Sequence, residues 1–205
     1  MKKFELTTNS KMYLGKKLFQ IKALISFGNV KEGDLGGFIE KEDNLSQYGN
    51  AWVYGDAEVY GNARVYGDAE VYGNARVYGD AEVSGNAEVY GNARVYGDAW
   101  VSGNAWVYGN AEVYGNARVS GDAWVSGDAE VYGDEDYTTI KGFGRNCRNT
   151  TFFKSEDGDV KVVCGCFYGT LDEFRKKVKE THGDSKYATE YLMIADLMEL
   201  HFKED

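Results

Sequence analysis

AWVYGD at 51–56, AEVYGN at 57–62 and ARVYGD at 63–68 open a run of fourteen hexads that holds register to AEVYGD at 129–134. Each unit is Ala, a variable residue, Val, Tyr or Ser, Gly, then Asn or Asp. Ala and Val stand two apart with Glu, Arg or Trp between them. That is strand alternation, with the apolar pair facing inward and the variable residue outward. Gly-Asn or Gly-Asp closes every unit, a pair that tolerates positive φ and marks a tight corner. A glycine every sixth residue and a β-branched Val in every unit exclude a helix. Each hexad is therefore one short strand and one corner.

Such strands cannot bury their apolar side alone, so identical units must coil and share a core. A six-residue period belongs to the parallel β-helix repeats. The phase, with Ala two before Val, resembles the left-handed β-helix family, where three hexads make one triangular coil. That resemblance implies roughly 18 residues per turn and about 4–5 coils. At a strand spacing of about 4.8 Å the prism is roughly 22 Å long. Every third hexad then shares a face. One face carries Trp52, Glu70, Glu88, Trp106 and Trp124; a second carries Glu58, Arg76, Arg94, Glu112 and Glu130; the third carries Arg64, Glu82, Trp100 and Arg118. Glu58–Arg76, Arg94–Glu112 and Arg64–Glu82 are the expected cross-strand ion pairs, each worth a few tenths of a kcal/mol.

The outward tryptophans are the sharpest surface anomaly. Trp52, Trp100, Trp106 and Trp124 occupy slots otherwise held by Glu or Arg. Exposed Trp is unusual, and Trp is enriched among interface anchors. Trp106 and Trp124 should stack in adjacent coils. With Arg76, Arg94 and Arg118 these tryptophans form the candidate binding set, toward a second subunit, a folded-back C-terminal domain or a foreign partner.

The chain has 205 residues and a formal net charge of −10. Residues 51–134 hold thirteen acidic residues and four arginines, and the rest holds twenty acidic and nineteen basic ones. The repeat thus carries nearly all the negative charge, which disfavours nucleic acid as a partner, because phosphate recognition needs clustered Lys and Arg. DNA mimicry is not favoured either, since arginines on the same faces dilute the acid. No apolar stretch is long enough to span a membrane, and no signal-peptide pattern follows Met1-Lys2-Lys3. The three cysteines, Cys147, Cys164 and Cys166, lie outside the repeat without secretory context, so a cytoplasmic location is expected.

Three divisions follow. Residues 1–50 are a capping segment, with Lys3–Leu6 paired to a strand at Lys17–Ile25, a turn-rich stretch at Phe27–Phe38, and a degenerate hexad at Leu45–Asn50. Residues 51–134 are the β-helix. Residues 135–205 form a small ββαα domain. There a hairpin turns at Asp157-Gly158, a capping box at Thr170–Glu173 opens one helix, and a second helix runs from about Lys186 to Phe202.

Chemical candidates are sparse. A hexapeptide-repeat acyltransferase generally uses a histidine base in the coil, but the chain's histidines, His182 and His201, both lie after the repeat. No catalytic residue and no cofactor is expected. Cys147, Cys164, Cys166 and His182 could make a Cys₃His metal site, although Cys-x-Cys is a weak signal and the spacing is not diagnostic, so no metal is expected. Gly142-Phe-Gly-Arg-Asn-Cys-Arg148 has the glycines and arginines of an anion-binding loop, though an ordinary surface turn is the default reading.

Phe27-Gly-Asn-Val-Lys-Glu-Gly-Asp-Leu-Gly-Gly-Phe38, continuing through Asn44–Gln47 into Gly49–Tyr54, resembles a family of uncharacterised hexapeptide-repeat proteins of bacteriophages, prophages and bacterial genomes, often labelled transferases. The tail resembles a small domain recurring in phage-encoded proteins, at Phe152-Phe153, Cys164–Phe167, Gly169–Phe174 and Thr181–Gly183. These resemblances imply a β-helix and a phage or mobile-element origin, and carry over no catalytic residue. The expected function is a non-catalytic binding or scaffold protein that binds a host protein or ligand, for instance an inhibitor of host defence acting in the host cytoplasm. A homo-oligomer, trimer or dimer, is expected. An acyltransferase and a structural virion or assembly protein are the alternatives.

Overall fold

A computed structural model of the chain describes residues 2–203; Met1 of the expected capping segment and Glu204-Asp205 of the expected C-terminal domain lie outside the described residues. Every hexad forms a two-residue strand, from β4 (Trp52–Val53) to β17 (Glu130–Val131), after β1 (Phe4–Tyr13), β2 (Lys16–Ala23) and β3 (Leu35–Ile39). Strand partners stand 18 residues apart and run parallel, as Glu58↔Arg76 and Arg94↔Glu112 show. The three faces of this parallel β-solenoid hold the three outward columns expected from the period. Inside, the Ala and Val of every hexad are buried, none more than 1 % exposed. Each glycine from Gly55 to Gly127 turns its corner with φ between +58° and +76°, the left-handed region open to glycine at little cost. Corner side chains ladder along the axis, Asn74 donating to Asn92, Asn92 to Asn110 and Asn110 to Asp128 at 2.9–3.2 Å.

Alternate backbone N–H groups in this stack point toward the following coil, Glu58 N donating to Ala75 O and Tyr60 N to Val77 O, while Gly61 N points back to Glu40 Oε2 at 2.7 Å. The edge of a parallel stack presents both N–H and C=O groups, so the first and last coils each leave both kinds to be paired, each costly if buried alone. Side chains close both ends. At the first coil the donors are side chains: Lys3 Nζ reaches Ala51 O at 2.8 Å, and Asn44 Nδ2 reaches Ala63 O at 2.8 Å and Gly61 O at 3.2 Å. Lys3 is buried with its ammonium 4.9 Å from the Phe27 ring, and burial pulls its pKa down to about 8. At the last coil side chains serve as donors, Tyr137 OH to Arg118 O at 2.6 Å and Asn149 Nδ2 to Asp122 O, and as acceptors. Arg118 N donates to Asp134 Oδ1 at 2.8 Å, Trp124 N to Thr151 Oγ1 at 3.1 Å, and Tyr132 N to Asp136 Oδ2 at 3.0 Å.

The N-terminal β1–β2 hairpin forms as expected and extends into one face of the solenoid through β3, which pairs antiparallel with β2 and parallel with the strand Glu58–Val59. The Gly36-Gly37 stretch, expected as turn, is thus strand: a Cβ on Gly36 would meet Ile21 and the Val53 carbonyl, and one on Gly37 the Ala57 carbonyl. Leu45 bridges Val65, 20 residues on rather than 18, so the degenerate hexad at 45–50 enters out of the expected coil register and reaches it only at Gly49, which lies against Gly67.

After the solenoid come β18 (Tyr137–Phe143), β19 (Arg148–Lys154), β20 (Val160–Cys164), β21 (Phe167–Thr170), α1 (Leu171–His182) and α2 (Lys186–His201). The expected hairpin and helices are present, and β18 and β21 widen the hairpin into a four-stranded antiparallel meander. Thr170 and Glu173 cap α1 reciprocally. Phe153 and Val163 join the solenoid core, while Phe152 and Val162, on the other face of the sheet, pack under the helices. Among the described residues no helix is long and apolar enough to cross a membrane.

Candidate binding surfaces

The outward slot does not guarantee exposure. Trp52 is only 1 % exposed, roofed by the N-terminal segment, with the Phe27 ring 5.3 Å and the Phe4 ring 6.2 Å away. Its expected surface position is corrected by the cap, and it is a core residue. Glu58 is likewise covered: Lys11 Nζ lies 2.8 Å and Arg76 Nε 3.3 Å from its carboxylate, while the Arg76 guanidinium also sits 4.6 Å from the Tyr13 ring. On the Trp52 face, Trp106 and Trp124 stack as expected, 5.0 Å apart and 3° from parallel, both half-buried.

Tyrosines after the Val of each hexad complete the faces. Tyr60, Tyr78, Tyr96 and Tyr114 stack at 4.9–5.0 Å, and Tyr72, Tyr90 and Tyr108 at 4.8–5.0 Å. Their hydroxyls reach diagonally to a carboxylate 16 residues on, Tyr54 to Glu70 (3.1 Å), Tyr72 to Glu88 (2.6 Å) and Tyr96 to Glu112 (2.9 Å). Burial, reinforced by those carboxylates, holds these three phenols above their ordinary pKa. Tyr90 is pushed up to about 12, by burial and then by Tyr108. Arg94 pairs with Glu112 at 2.9 Å, so Arg76 and Arg94 are both engaged by carboxylates, on a face without tryptophan.

The third face differs. The expected Arg64–Glu82 ion pair does not form among the described residues; the two are register neighbours, but Glu82 accepts the Tyr66 hydroxyl at 2.8 Å instead. Trp100 is 41 % exposed, pinned by its Nε1 donating to Ser84 Oγ at 3.1 Å, and Arg118 stands beside it in register, exposed. Of the seven candidate residues, only Trp100 and Arg118 join a tryptophan to a neighbouring arginine.

In the C-terminal domain, residues singled out separately in sequence share one cleft of about 320 Å³. Arg145, Arg148, Cys164, Cys166 and His182 line it, with Phe174 from the Gly169–Phe174 motif and Tyr191 completing it. Cys147, weighed with the other thiols as a metal ligand, lies outside this lining in the left-handed region at φ +47°. Thr150 Oγ1 donates to Cys164 Sγ at 3.2 Å. Burial, with Cys164 beside it, pushes the Tyr191 hydroxyl up to about 12. Among the described residues no three His, Cys, Asp or Glu side chains are placed to hold a metal ion.

The repeat described as the YdcK beta solenoid repeat matches at residues 57–70, 69–85, 87–103 and 111–127. This is a β-solenoid repeat protein. The matches fall wholly within the solenoid and leave its N-terminal cap and the meander-and-helix domain uncovered. No curated protein matches the chain.

Proposed function

We propose that this β-solenoid protein is a non-catalytic binding and scaffold protein that offers the face carrying Trp100 and Arg118 to a protein partner. The observation that carries this reading is the contrast among the faces. On two of them the candidate residues are satisfied within the chain, by the N-terminal cap, by carboxylates or by stacking. On the third, Trp100 and Arg118 remain open, with Ser84, Ser102 and Ser120 in place of the tyrosine ladder. A rigid aromatic beside an exposed arginine on a flat sheet is the composition of an interface anchor. Two partners fit, a second copy of the chain in a dimer or trimer and a host protein. The resemblance to phage and prophage proteins favours the host protein, with restraint of a host defence component in the host cytoplasm as the use. The acidic solenoid opposes nucleic acid.

The test combines sedimentation velocity with capture from host lysate, comparing the wild-type chain with a Trp100→Ala/Arg118→Ala variant. Both side chains are solvent-facing, so the variant should keep its melting temperature while losing a partner or falling to a smaller oligomer. Unchanged size and unchanged captured proteins would sink the proposal. So would turnover of acyl-CoA donors that a single polar substitution abolishes.

A further inference from the structure

We propose that the cleft between the Cys164–Cys166 turn, the 144–148 loop and the two helices binds a small aromatic phosphate ester of mononucleotide size. Its volume, about 320 Å³, lies at the small end of the range of ligand pockets. The floor is aromatic: the half-buried Phe167 meets the buried Phe174 at 5.5 Å, Phe174 meets the buried Tyr191 edge-on at 5.7 Å, and Phe167 is the ring most open to a planar guest. The rim is cationic, from Arg145, Arg148 and Lys177, and no carboxylate lines the cleft. This is unusual in a chain of net charge −10. Arg76, Arg94 and Arg175 meet carboxylates, Arg175 those of Asp172, Asp196 and Glu199. Arg145 and Arg148 have no ion-pair partner among the described residues, and their charge is left for a ligand.

The cleft is also built. Gly165, at φ +63°, lies against the tip of the flexible Arg148 side chain, and a Cβ on Gly144 would meet the Tyr191 hydroxyl. The 144–148 loop is tied to α2 by Gly144 N donating to Glu190 at 3.0 Å, and by Tyr191 donating to Phe143 O at 3.3 Å. Guanidinium forks match the paired oxygens of a phosphate, and the aromatic floor takes the ring that carries it. The volume suits one such unit.

Isothermal titration calorimetry on the full chain tests this with AMP, GMP, CMP, UMP and O-phosphotyrosine. The corresponding nucleosides, tyrosine and inorganic phosphate serve as the stripped probes. At least one ester should bind saturably at one site, with its dephosphorylated form and inorganic phosphate about tenfold weaker or more. Arg148→Gln should weaken binding by about tenfold or more, the loss expected for a charge-assisted contact, without moving the melting temperature. Binding of a nucleotide or of phosphotyrosine identifies the source of the ester and supports the site equally. The site is overturned if no ester binds at millimolar concentration, if inorganic phosphate binds as well as the esters, or if Arg148→Gln binds like the wild type.

Discussion

Replacing Gly79 by alanine separates the two reasons for a glycine at every corner. Gly79 has φ +75°, and a Cβ there would lie 2.9 Å from the backbone nitrogen and 3.1 Å from the oxygen of Gly97 in the next coil. Gly55 and Gly121, at φ +58° and +68°, have the same handedness but nothing within 4 Å of a Cβ. An alanine in the left-handed region costs roughly 1–2 kcal/mol at any of the three positions. Only Gly79→Ala must also push apart two stacked backbones, a strain of about 1–3 kcal/mol of the kind seen on overpacking. The unfolded chain stiffens alike in all three variants, so that effect cancels in the comparison. Gly79→Ala should therefore lose about 2–5 kcal/mol, and Gly55→Ala and Gly121→Ala about 1–2 kcal/mol. Near this chain length each kcal/mol lowers the melting temperature by roughly 2–4 °C. Urea unfolding followed by circular dichroism measures both quantities. Equal losses in all three variants would refute the steric part of the argument and leave only the dihedral cost.

Trp52→Ala should destabilise by about 3–5 kcal/mol, because it empties the space between Phe4, Phe27 and the first coil, whereas Trp100→Ala should stay within about 1 kcal/mol in the same melts. Alkaline titration should unfold the solenoid. Its tyrosines keep their protons to higher pH folded than unfolded, so their stabilisation is complete below the ordinary phenol pKa and is lost as pH climbs from there through about 12, the value for Tyr90. Tyrosinate absorbance that rises at the ordinary phenol pKa while circular dichroism stays native would contradict this. Asn110→Asp should cost about 0.5–1 kcal/mol at low salt by setting a second carboxylate against Asp128, and added salt should restore much of the loss. A salt-independent loss would point to the missing amide donor instead.

Ala and Val positions were legible as core because burial in a stack depends on the neighbours 18 residues away, which the repeat itself supplies. The Trp106–Trp124 stack and the Glu58–Arg76 and Arg94–Glu112 pairs were legible for the same reason. The Arg64–Glu82 pair was not, because Tyr66 from the preceding corner reaches Glu82 first, and a column-by-column comparison does not register diagonals. Gly36-Gly37 suggested a turn, yet they are glycine because the backbone of the first coil passes too close for a side chain. The outer strands β18 and β21 were missed because each is interrupted by a glycine, Gly142 or Gly169, and β21 is short, so sheet partners rather than local propensity make them strands.

By itself the sequence determined the period, and with it the strands, the corners, the inward Ala and Val and the membership of each face, since all of these follow from contacts repeated identically from coil to coil. Only the tertiary structure decided which outward residues meet solvent. Trp52 and Glu58 occupy the same slot as Trp100, but the N-terminal hairpin roofs the first coil and nothing roofs the third face there. Only the tertiary structure, too, gathered Arg145, Arg148, Cys166, Phe174, His182 and Tyr191 around one cleft. The meander and helices that bring them together are joined by unique packing contacts, which no repeat encodes.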